Sequence, residues 1–68
     1  MEAENMVHMA NQIALFFASY PKDEAVASVT DHFKKFWEPR MRKQIIEYVA
    51  HGGHGLHDLA LEAVKHLQ

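Results

Sequence analysis

Along the chain, apolar residues recur at intervals of three and four, broken at Pro21, at Pro39 and at Gly52, Gly53 and Gly55. That spacing is helical, and nothing alternates with the period of two that marks a strand. The first segment spans about 4–19, with Met6, Met9, Ala10, Ile13, Phe16, Phe17 and Tyr20 as its apolar positions. Adjacent Phe16 and Phe17 project about 100° apart on a helix, so this face is wider than one neighbouring helix needs. The second segment covers about 21–36, with Ala25, Val26, Val29, Phe33 and Phe36 as its stripe. Pro21 suits a first helical turn, Asp23 and Glu24 complement the helix dipole there, and Asp31 with Lys35 makes an i,i+4 pair. The third begins near Pro39 and carries Met41, Ile45, Tyr48 and Val49 on one face, with Ile46 beside it. A residue before proline avoids the α conformation, which predicts an extended Glu38 and a bend. Gly52 or Gly53 suits the C-cap. The fourth runs over about 56–67, with Leu56, Leu59, Ala60, Ala63, Val64 and Leu67 as its stripe. The pattern predicts an all-α fold, a small bundle of four short helices in a single domain over 1–68.

At 68 residues, folding buries only about 60% of the surface an unfolded chain exposes. With no cysteine there is no disulfide staple and no thiolate for zinc or an iron–sulfur cluster. Stability is then expected from helix packing, self-association or docking on a larger partner. The formal net charge of −2 argues against nucleic-acid binding by bulk electrostatics. The apolar run at 13–18 is too short for a signal-peptide core, and no stretch approaches the roughly 20 apolar residues of a membrane span. A soluble, cytoplasmic chain is the expectation.

Charge is unevenly placed. Lys34, Lys35, Arg40, Arg42 and Lys43 put five of the seven basic residues within ten positions, interleaved with Phe36, Trp37 and Met41. Trp and Arg are enriched at the energetic centres of interfaces. Arg40 and Arg42 also fall in the first turn of the third helix, where positive charge opposes the dipole. Such a local cost suggests guanidinium groups aimed at a carboxylate or a phosphate. Trp37 fits two readings, core residue at a helix corner or interface anchor, and the basic run equally fits a solvated face.

His51, His54 and His57 are spaced by three, yet the intervening glycines argue against a regular helix, and solvated loop histidines rather than metal ligands are expected. Ser19, Ser28 and Thr30 have no accompanying base and orienting group. The glycines lack the lysine and the strand context of a phosphate loop.

Three strings carry a family resemblance. Met9-Ala10-Asn11-Gln12-Ile13-Ala14 followed by Phe16-Phe17, then Lys35-Phe36-Trp37-Glu38-Pro39-Arg40-Met41-Arg42, then Gly52-Gly53 with Gly55-Leu56, cover about 6–67. Together they resemble the small delta subunit of NAD-dependent, molybdenum- or tungsten-containing formate dehydrogenases. Glu38 departs from the pattern where Asp, a better N-cap, is common. The resemblance implies a non-catalytic subunit that binds no cofactor or metal itself and supports assembly, stability or cofactor loading. It implies as partners the catalytic (alpha) subunit and the other subunits, which would carry the bis-molybdopterin guanine dinucleotide, iron–sulfur clusters, flavin mononucleotide and the NAD site. The expected partner-binding residues are Met9, Ile13, Phe16, Phe17, Phe36, Trp37, Arg40, Met41 and Arg42. A sharper version has Arg40 and Arg42 guiding the anionic pterin dinucleotide. The alternative is a free-standing homodimeric helical adaptor or regulatory domain.

Overall fold

The computed structural model describes residues 2–67, so the first and last positions of the expected domain lie outside it. It contains α1 (Ala3–Phe17), α2 (Lys22–Phe36), α3 (Pro39–Ala50) and α4 (Asp58–Lys65), with no strand among the described residues. The all-α expectation holds, with shifts at the ends. Pro21 is the N-cap of α2 rather than part of its first turn (φ −53°, ψ 145°), and Leu56 precedes α4 instead of opening it.

Helix α2 is the centre of the bundle and packs against α1 and, most extensively, against α4; α3 packs on α4. Where the helices meet, the side chains are small. Ala10, Ala14, Ala25, Ala60 and Ala63 are fully buried. Alanine at a crossing lets helix axes approach closely, and the larger groups then fill the space around the crossing. Here those are Met6, Val29, Phe33, Ile45 and Val64, joined by Trp37, Leu56 and Leu59. The buried polar group is Thr30, whose hydroxyl donates to Val26 O at 2.7 Å, with Ala63 O on α4 at 3.4 Å as a second acceptor.

The apolar stripes read from the sequence are therefore only partly core. Met9, Phe16, Tyr20 and Phe36 stand on the surface instead. On α1 the packed row is Met6, Ala10 and Ala14, a strict i,i+4 row. Phe16 lies about 120° round the helix from Ala10, outside that row. Phe36 lies near the buried direction of α2 but on its last residue, and it remains exposed.

The glycine cluster closes α3. His51 is the C-cap, not a glycine. Gly52 N–H donates to Val49 O and Gly53 N–H to Tyr48 O, both at 3.0 Å, the crossed pair of bonds of a Schellman motif. Gly52 and Gly53 hold φ of +114° and +61°, and a Cβ on Gly53 would stand 2.5 Å from Leu61 Cδ2. Glycine satisfies both demands.

The following loop is tied down on two sides. Tyr48 Oη donates to His54 O at 2.6 Å. From α1, the Asn11 amide makes a pair of bonds: Nδ2 donates to Gly55 O at 2.9 Å and Oδ1 accepts from His57 N–H at 2.8 Å. His57 is in turn the N-cap of α4, its Nδ1 accepting from Leu59 N–H at 3.0 Å. One asparagine thus joins α1 to the entry of α4. Asn11→Ala is expected to lower stability by about 1–3 kcal/mol, since it strips partners from two backbone groups. A urea melt with an unchanged m-value is the check.

Candidate functional site

Helix α1 presents an outward apolar row. Met9, Ile13 and Phe16 are spaced four and three, so they share one stripe, and Tyr20 follows in the bend just past the end of the helix. This stripe lies about 180° from Asn11, the residue that faces the start of α4, and is turned away from that helix. Phe16 is 74% exposed and Tyr20 and Met9 are also on the surface, as is Leu15. Phe16 meets Phe17 edge to face (5.0 Å between centroids, 88°), and Phe17 meets Tyr20 likewise (5.7 Å, 82°). Phe17 and Ile13 are half-buried and packed against the core. The exposed rings are thus held on a rigid helix by an anchored neighbour, with little rotamer freedom left to lose on binding.

The corner between α2 and α3 is built differently. Trp37 is the C-cap of α2, extended at φ −92° and ψ 131°. Glu38 follows, extended as the proline requires, and its carboxylate makes no cap bond. Pro39 then opens α3. The Trp37 side chain turns inward, is only 4% exposed and stacks at 4.6 Å on Phe33. Arg42 is half-buried, and its Nη1 donates to Trp37 O and, at 3.3 Å, to Lys34 O. The guanidinium therefore sits at the negative end of α2, which offsets the cost of a cation near the start of α3.

Two residues expected at a partner surface are consequently spent inside the fold. Trp37 fills the core because the extended corner folds its indole back over Phe33. Arg42 donates to carbonyls left free where α2 ends. Met41 is half-buried against the core. The other outward members are Phe36, 71% exposed and stacked on His32 at 4.6 Å, and Arg40. With Met9 and Phe16 they fall in two places, the α1 stripe and the α2–α3 corner. Leu15, Lys34 and Lys43 are exposed beside them and were not among the expected residues; Tyr20 was readable from its spacing four after Phe16.

A recess between α2 and α4 is lined by Val26, Thr30, Asp31, Lys34, Glu62 and His66, and its one hydroxyl is engaged with backbone carbonyls. Among the described residues, no three His, Asp or Glu side chains are grouped to hold a metal ion. No helix there is long and apolar enough to cross a membrane.

No curated protein and no solved structure matches the chain significantly. The sequence profile of the NADH-dependent formate dehydrogenase delta subunit FdsD, in contrast, matches residues 5–64, which takes in both the α1 stripe and the α2–α3 corner. The chain therefore belongs to the family of formate dehydrogenase delta subunits.

Proposed function

We propose that this chain is a non-catalytic subunit that docks on the larger subunits of a soluble formate dehydrogenase and supports the assembly, stability or cofactor loading of the catalytic subunit. The observation that carries this reading is the pair Met9 and Phe16 on α1 with Tyr20 just past its end, large apolar groups held at the surface. A chain this small hides its apolar groups where it can; rings left outside and braced by Phe17 suit burial against another protein. The complex would carry its molybdenum or tungsten pterin, clusters, flavin and NAD site on other subunits, since a chain without cysteine offers no thiolate to a cluster.

Co-purification tests this. Tagged chain, co-expressed with the dehydrogenase subunits, is expected to bring down the catalytic subunit. Phe16→Ala should weaken that association by about 2 kcal/mol or more, roughly thirtyfold, as truncation of an aromatic anchor does. Its own melting should hardly move, because the ring is exposed. Metal content per catalytic subunit then separates the roles: intact assembly with less metal means loading, and lost assembly means docking alone. Recovery of the tagged chain by itself, with a melting temperature that rises with its concentration, would favour the homodimeric adaptor instead.

A further inference from the structure

We propose that the α2–α3 corner is a second, electrostatic contact, which seats Phe36 in an apolar recess of the same partner and sets Arg40 and Lys43 against an acidic rim beside it. This rests on the docking reading above and adds the chemistry of the partner surface.

The argument starts from charge. Residues 34–43 hold five of the seven Lys and Arg but one of the nine Asp and Glu, a net +4 inside a chain of net −2. The remainder is acidic, so the chain's positive charge is concentrated in this segment. Two of the five cations are satisfied within the fold: Lys35 pairs with Asp31 at 3.0 Å, and Arg42 is turned to the carbonyls that end α2. Lys34, Arg40 and Lys43 are exposed, and among the described residues none has a carboxylate partner.

Arg40 is the telling case. It occupies the first turn of α3, where a cation is disfavoured. Arg42 offsets the same penalty through the carbonyls of α2, whereas among the described residues Arg40 has no such contact. An external anion would supply one. Phe36 ends α2 at 71% exposure, four residues before Arg40 at the same corner. Arg40 and Lys43 lie one turn apart on α3 and so share a face of that helix. An aromatic group beside like charges fits an apolar pocket with carboxylates at its rim. Complementary rims of this kind speed association and set orientation.

Wild-type chain, Arg40→Glu/Lys43→Glu and Phe16→Ala are titrated onto the purified dehydrogenase complex from which this subunit has been deleted, at low and at raised salt. Both reversed positions are exposed, and acidic groups near the start of α3 suit its dipole, so the double variant keeps its helical circular dichroism. Its affinity is expected to fall about tenfold or more at low salt, with the gap to wild type narrowing as salt screens the contact. Phe16→Ala should lose affinity at every salt concentration.

Wild-type affinity in the double variant, with Phe16→Ala still defective, overturns the corner while leaving the docking reading intact. Failure of the wild-type chain to bind removes both. If the reversal instead splits a dimer of the isolated chain, or abolishes retention on duplex DNA without touching the dehydrogenase, the occupant is a second copy or a nucleic acid and the proposal is wrong.

Discussion

Phe33→Ala should leave the isolated chain about half unfolded at 25 °C. Phe33 is fully buried and is the largest such side chain. It meets the Trp37 ring at a tilt in the last turn of the helix that both α1 and α4 pack on. Truncating a buried phenylalanine costs about 3–5 kcal/mol, and a core of this size supplies only about 3–5 kcal/mol in total. The two figures cancel. Far-UV circular dichroism of the variant, with and without stoichiometric partner, checks the expectation. Partner that binds only the folded form should restore part of the helical signal by mass action. The matched control is Phe36→Ala, the same residue type one turn further on, which should change stability by no more than about 0.5 kcal/mol. Helical Phe33→Ala beside unfolded Phe36→Ala would mean that the chain packs α2 with the other ring inward.

Trp37→Ala is expected to cost a similar 3–5 kcal/mol, because the indole is a core group with its backbone in the helix corner. Its effect on partner binding should be indirect. Binding capacity ought to fall in proportion to the fraction unfolded, and the folded remainder should bind with wild-type affinity. Trp37→Phe, which keeps an aromatic group on Phe33, should recover most of the stability. Thermal melts run beside binding titrations distinguish this from Phe16→Ala, where affinity falls and the melt stays in place. A Trp37→Phe variant of full stability that no longer binds would return the indole to the interface.

These contrasts show where residue type stops being informative. Phe33 and Phe36 are the same amino acid on the same predicted stripe, three positions apart. Periodicity alone ranks them together, because it knows the helix and not what stands opposite. Trp37 and Arg42 look like a ready-made anchor pair by composition. The corner at Glu38 and Pro39 turns one into core and the other into a cap on the α2 carbonyls. Arg40 shares the residue type of Arg42 and nearly the same position, yet among the described residues it meets no carbonyl and is exposed.

Asn11 carried weight in the sequence only as one letter of a family-like string. Its role depends on a distance of over forty residues along the chain: an amide on α1 meets Gly55 and His57 at the mouth of α4. A single sequence has no local signal for such a pairing, since both partners are backbone groups that every residue carries.

Four helices, their approximate ends, the breaks at the prolines and glycines, the Asp31–Lys35 pair and the delta-subunit kinship were all legible in the order of the residues. Those features follow from local rules: the 3.6-residue turn, the fixed φ of proline, the positive φ open to glycine, and neighbours one turn apart. Which apolar groups became core and which were left at the surface was settled by packing. Alanines brought the helices close, Phe33 and Trp37 filled the space between, and Phe16 and Phe36 fell outside it. Burial is a property of what lies across the gap, and the chain acquires that neighbour only when distant segments come together.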